Sequence, residues 1–188
     1  NKVKMMLKKK INNYYLELGK KIKELDIDKI VKICEYLKVK IKNKNKIFVC
    51  GNGGSAAISD HFVTDFNKSL KRKSKRKYIA RAISLSNSMS LITAISNDIN
   101  YEKIFTEQIE NFYDKGDCII IFSCSGTSKN IIEICKYAKK RKIDVICIVG
   151  FNNHKIKKYS KYHIAINSNS YRVIEDIFQS VMHVMQEI

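Results

Sequence analysis

A chain of 188 residues, 45% of them apolar and 29% charged, has the length and balance of one globular domain; it is not a disordered chain, and it holds no run of about 18 apolar residues able to cross a membrane. Its net charge of +18, from 36 Lys and Arg against 18 Asp and Glu, predicts a general attraction to anions. The basic residues are spread along the chain. The one dense run, 71–77, meets no aromatic residue before Tyr78, so specific nucleic-acid binding is not expected.

The first ten residues return to lysine too soon for a signal peptide, and a soluble cytoplasmic protein is expected. Up to residue 45 the pattern is helical. Leu16, Leu18, Ile22 and Leu25 precede a second segment with Ile27, Ile30, Val31, Ile33, Cys34 and Leu37 at three-to-four spacing. Two N-terminal helices follow, of a kind that commonly packs on another subunit. Beyond them five short β-branched runs read as strands: 47–50, 79–84, 118–122, 145–149 and 163–166. Helical stretches lie between and after them, at about 54–69, 88–113, 129–141 and 171–187. Unbroken apolar runs imply strands covered on both faces, and strand–helix order implies a parallel sheet with right-handed crossovers. The predicted fold is a single α/β domain: a three-layer, doubly wound, five-stranded parallel sheet over 46–188, preceded by N-terminal helices over 1–45.

Six cysteines without a CxxC pair read as reduced. Cys50, Cys118 and Cys147 lie in strand runs, and Cys34 and Cys135 in helical patterns. Cys124 differs only in its neighbours. A reactive role is not expected of it, because a thiolate would repel an anion bound beside it.

Ligands of such sheets bind beyond the carboxyl ends of the strands. The first strand ends in Gly51-Asn52-Gly53-Gly54-Ser55 and enters a helix near Ala56. Glycines there let backbone come close to a ligand, and Ser55 would present a hydroxyl at a helix N-terminus, where free amides favour anions. The spacing is not that of a dinucleotide fingerprint. The third strand ends in Ser123-Cys124-Ser125-Gly126-Thr127-Ser128, four hydroxyls around one glycine at another helix start. Hydroxyls and amides suit a phosphate monoester, and the lack of a Walker lysine argues against nucleotide hydrolysis.

These two turns, with His61-Phe62 and Ala94-Ile95-Ser96-Asn97-Asp98 between them, resemble the SIS (sugar isomerase) domain family in order and spacing over nearly the whole chain. The resemblance implies a flavodoxin-like core and a homotetramer with active sites at subunit interfaces. It also implies aldose–ketose isomerisation of a sugar phosphate, with sedoheptulose 7-phosphate the first substrate to consider. Asn52, Gly53, Gly54, Ser55, Asn97 and Asp98 would contact substrate, as would Cys124, Asp65 and Glu175. Ser123, Ser125 and Ser128 would hold its phosphate. Asp65 and His183 would be the catalytic carboxylate and its proton-carrying partner, and His61, Asp65, Glu175 and His183 would hold Zn2+. A non-catalytic phosphosugar-binding scaffold, or an isomerase of another sugar phosphate, is the competing reading.

Three positions depart from the family pattern: Asp65 stands for glutamate, Glu175 for glutamine, and Ser69 for an arginine that Lys68 or Lys71 could replace. His61 and Asp65 are four residues apart and share a helix face. Glu175 and His183 are eight apart, about 12 Å along an ideal helix, so one ion can take both only if the side chains converge strongly. His183 sits on an apolar stripe where a lone histidine is ordinarily a core residue. His154 and His163 fall in a loop and at a strand start and are read as mundane.

Overall fold

Every residue of β1 (Lys46–Cys50) and β3 (Cys118–Ser123), and all but the first of β4 (Asp144–Val149), is buried, so their apolar runs have no polar alternation. With β2 (Arg81–Ser84) and β5 (Tyr162–Ala165) they form one all-parallel sheet in the order β2-β1-β3-β4-β5. The order reverses between β1 and β3, and at such a switch point the following loops splay apart into a crevice. This is a computed structural model; it describes residues 2–73, 75, 77 and 79–187, leaving Ser74, Arg76 and Tyr78 around the basic run outside the described residues.

Alternate side chains of each buried strand meet different helices. Val49, Phe122 and Ile148 pack with α2 (Ile27–Lys42), α3 (Gly54–Lys73) and α7 (Tyr171–Val184). Phe48, Ile121 and Cys147 pack with α4 (Met89–Asp98), α5 (Thr106–Phe112) and α6 (Lys129–Arg141). An aromatic row ties α3 and α7 to the sheet: Phe62 stacks on Phe66 with centroids 4.7 Å apart, and Phe122 lies 6.5 Å from Phe62 and 5.7 Å from Phe178. Such pairs add about 0.5–1.5 kcal/mol each beyond the area they bury. The row holds α3 and α7 side by side, which decides where their polar faces meet.

The second N-terminal helix packs on the core of its own chain by one face, while Ile27, Val31 and Val39 on it stay exposed. Ile30, Ile33, Leu37 and Ile41 of α2 are buried against the sheet. The first, α1 (Lys2–Lys23), has no fully buried residue. It is fastened to the rest through Tyr14, whose hydroxyl donates to Asp176, and through Glu17, which accepts from Ser168 at 2.6 Å.

The segment read as one helix over 88–113 is broken. Ile99 leaves helical geometry (φ −121°, ψ −83°), and the Asn100 side chain accepts from Lys103 N to start a 3-10 turn at Tyr101–Lys103 before α5 begins. The hydrophobic period ran through because Ile95, Ile104, Phe105 and Ile109 all enter one core, so the break left no mark in the apolar pattern. β2 begins at Arg81, two residues later than its apolar run. Its outer edge is met by the Asn67 amide, which gives and takes a hydrogen bond with Ala82 at 2.9 and 3.0 Å.

Candidate active site

The turns after β1 and β3 face each other across the switch point and enclose a cavity of about 310 Å³. Asn52, Gly53, Gly54 and Ser55 line one side, and Ser123, Cys124, Ser125 and Ser128 the other. Gly53 has φ +55° and Gly126 φ +60°, left-handed conformations that glycine adopts without strain. Two further contacts make the first turn rigid. Asn52 exchanges hydrogen bonds with Asn130 in the first turn of α6 (2.9 and 2.8 Å), and Gly51 exchanges them with the Ser86 hydroxyl beyond β2 (3.1 and 2.9 Å). Tyr101 completes the fastening by donating to Asn52 Oδ1 at 3.1 Å.

In the second turn the Ser123 hydroxyl accepts from Gly126 N at 3.1 Å and that of Ser125 from Thr127 N at 3.2 Å. Ser128 is the N-cap of α6 but makes no side-chain capping bond. Its hydroxyl and the Lys129 and Asn130 amides therefore remain for an anion, the Ile131 amide being taken by Asn130 Oδ1 at 3.0 Å. Among the described lining residues none is a lysine or arginine, so an anion here is held by neutral donors. The expected stand-in cation Lys68 lies instead 3.8 Å from Asp65.

The one carboxylate in the lining, Glu175, rests against the backbone of Gly54 and takes a long thiol contact from Cys124 at 3.9 Å. Burial, and then the Glu175 charge, push the Cys124 thiol up to about 11. Tyr171, at the start of α7, also lines the cavity and packs edge-on against Phe151 with centroids 4.7 Å apart. Neither Tyr171 nor Asn130 was picked out from sequence. An aromatic after a serine N-cap and an asparagine opening a helix are too common to stand out.

Farther along α3 and α7 a second group assembles. Asp65 Oδ2 lies 3.1 Å from His61 Nε2 and 3.9 Å from His183 Nε2, and one donor atom from each of the three lies within 4.8 Å of the others. A tetrahedral ion with ligands at ~2.0–2.1 Å separates them by ~3.3 Å, so the His61–Asp65 pair already has that spacing and His183 would have to draw closer for the three to hold a zinc ion with an open position. Glu175, expected in that set, is outside it: two helical turns carry its carboxylate to Gly54 instead. Gln179, from the turn between them, reaches both histidines. Asn97 and Asp98 are not brought to the cavity. They are exposed at the end of α4, where Asn97 donates to Asp98 at 2.8 Å. His154 and His163 lie apart from the site, with ring centroids 5.2 Å from each other, and His163 ends a hydrogen bond with the Asn153 carbonyl at 3.0 Å.

An open parallel sheet whose switch point carries two hydroxyl- and amide-lined turns defines an α/β domain built to hold a small anionic ligand. The chain belongs to the SIS domain family, whose sequence profile matches residues 12–150. It is 35% identical over 172 residues to the "probable phosphoheptose isomerase" of Thermoplasma acidophilum, covering 91% of this chain and 93% of that one. It is 30% identical over 183 residues to the phosphoheptose isomerase of Akkermansia muciniphila, covering 95% and 94%. Its fold superposes on the phosphoheptose isomerase structure from Neisseria gonorrhoeae with a TM-score of 0.85 at 26% identity, covering 96% and 97%.

Proposed function

We propose that the protein is an aldose–ketose isomerase of an open-chain sugar phosphate, converting sedoheptulose 7-phosphate to D-glycero-D-manno-heptose 7-phosphate through an enediol. The observation that carries this reading is the meeting of Ser55 and Ser125 in one cavity at the switch point, in a chain whose relatives are named phosphoheptose isomerases. The phosphate sits over Ser125 and Ser128 at the α6 N-terminus. The sugar then runs into the groove between α3 and α7. His61 lies about 9 Å down α3 from Ser55, a distance that suits a long sugar better than a triose.

Asp65 takes a proton from C1 of the ketose while His183 gives one to the carbonyl oxygen, and the C1–C2 enediol results. The return step places the proton from Asp65 on C2, and His183 recovers one from the C1 hydroxyl, so both groups end as they began. Asp65 is one methylene shorter than the family's glutamate, but its contacts with both histidines keep it in the cluster. Those proton transfers belong to the ion-free site; with zinc bound, His61, Asp65 and His183 would be its ligands, and the ion would instead polarise the carbonyl and stabilise negative charge on the enediol oxygens.

A homotetramer with interfacial sites and a cytoplasmic location are part of this proposal. Exposed Val3, Met6, Leu7, Ile11 and Leu16 on α1, and the distance of Asn97 and Asp98 from the cavity of one chain, support the assembly. Six unpaired cysteines suit a reducing compartment. The test is incubation with sedoheptulose 7-phosphate, with and without zinc, following aldose formation by NMR. Turnover is expected. No turnover under either condition removes this substrate, and light scattering of the purified protein checks the tetramer.

A further inference from the structure

The loop after β4 touches both walls of the sugar-phosphate cavity without lining it. Phe151 and Asn152 sit in succession at φ +49° and +47°, left-handed conformations that are costly for residues with a side chain and persist only where neighbours over-determine them. Bonds on either side do so here: Gly150 N donates to Cys124 O at 3.0 Å, and Asn152 N to Ile166 O at 2.9 Å. The bend sets the Phe151 ring on Tyr171 and the Asn153 amide on the serine turn, so close that a Cβ at Gly126 would stand 3.4 Å from Asn153 Cγ.

The partners of that amide fix which way it points. Its oxygen accepts from Lys155 N at 2.8 Å, so its nitrogen faces the Ser125 carbonyl and donates to it. The Asn153 carbonyl in turn accepts from His163 Nε2 at 3.0 Å, which sets the ring's proton on that nitrogen and leaves Nδ1 buried and bare. The peptide joining Ser125 to Gly126 is therefore gripped at both ends, its carbonyl by Asn153 and its N–H by the Ser123 hydroxyl at 3.1 Å. Asn153 does not line the cavity, so the carbonyl it holds is drawn out of it. Without that grip the peptide is free to rotate, because glycine follows it, and rotation turns the negative end of its dipole toward the bound anion.

We infer that Asn153 is a positioning residue of the phosphate site, holding the Ser125 carbonyl out of a cavity that must receive an anion. This role rests on the proposed sugar-phosphate reading of the cavity. It gives the strained bend at Phe151 and Asn152 a purpose, since the bend is what carries the Asn153 amide to the serine turn.

The test compares Asn153→Ala and Asn153→Asp with wild type by calorimetric titration with inorganic phosphate and by sedoheptulose 7-phosphate kinetics, at a temperature where circular dichroism shows each variant folded. Asn153→Ala is expected to raise the phosphate Kd and the KM about 3- to 10-fold, the scale of one lost hydrogen bond. Its kcat stays within about twofold, because the phosphate is held equally in ground and transition states. Asn153→Asp keeps the size and the Lys155 contact but sets an oxygen against the Ser125 carbonyl, so its loss is at least as large. Wild-type phosphate affinity in either variant overturns the role and leaves the sugar-phosphate reading in place. A fall in kcat at unchanged KM also overturns it, being the mark of a smaller folded fraction and not of a misplaced turn. Wild-type protein that binds neither inorganic phosphate nor sedoheptulose 7-phosphate overturns both.

Discussion

Asn52 and Asn130 exchange two side-chain hydrogen bonds, at 2.9 and 2.8 Å, and so lock the glycine turn after β1 to the first turn of α6. The two halves of the cavity are thereby one rigid body, although 78 residues separate the pair in sequence. Asn130 is fully buried, so Asn130→Ala leaves a void there and frees the Asn52 amide nitrogen, while Tyr101 still donates to Asn52 Oδ1. The expected cost is about 1–3 kcal/mol, read as a lower urea midpoint, together with a raised KM for the sugar phosphate.

Gly51 and Gly54 separate backbone crowding from side-chain crowding. A Cβ at Gly51 would stand 2.6–2.7 Å from the backbone and Cβ of Ser55, which cannot move without unwinding the turn. Gly51→Ala is expected to destabilise by about 1–3 kcal/mol, measured by thermal or urea unfolding. At Gly54 the added methyl meets the end of the Glu175 side chain, which swings away. Gly54→Ala should therefore fold near normally while weakening substrate binding, so a KM effect without a matching stability loss is the outcome to look for.

Asp65 divides chemistry from binding. Asp65→Asn keeps its size but loses its charge toward His61 and His183, and turnover is expected to fall by about 10²–10⁴. Phosphate-end binding, measured by calorimetry with a non-reacting sugar-phosphate analogue, should hold within a few-fold. Turnover that survives Asp65→Asn would move the carboxylate role elsewhere.

Cys124 offers a chemical reporter of the cavity. With its thiol pushed up to about 11 by burial and by Glu175, the thiolate is scarce until the pH nears that value. Alkylation at pH 8 is expected to run on the order of 10²-fold slower than for an ordinary thiol, and to rise with pH well past 9. Glu175→Gln removes the repelling charge and should speed the reaction, which mass spectrometry of the labelled cysteine follows directly.

Much of this was legible in the sequence because buried parallel strands leave a plain mark. The runs at 47–50, 118–122 and 145–149 match β1, β3 and β4 to within a residue at each end, and the turns that follow β1 and β3 are where glycine and serine said they would be. Capping was harder to see. Ile99 and Asn100 end a helix inside an unbroken apolar period, because the turn that follows keeps Ile104 and Phe105 in the same core. At the site, i,i+4 spacing correctly put Asp65 beside His61, and the same spacing groups Gln179 with Glu175 and His183, but its approach to His61 could not be read because that depends on α3 and α7 lying side by side, which only the packing of Phe62, Phe122 and Phe178 decides. Glu175 was assigned by position in a family motif, and geometry along α7 sends it to a different neighbour.

The most direct measurement is a crystal structure of the protein with sedoheptulose 7-phosphate bound. The phosphate should lie within hydrogen-bond distance of Ser125 and Ser128 at the α6 N-terminus, with the carbonyl carbons directed along α3 toward Asp65 and His183. A phosphate bound away from both serine hydroxyls, in every subunit of the assembly, would contradict the account.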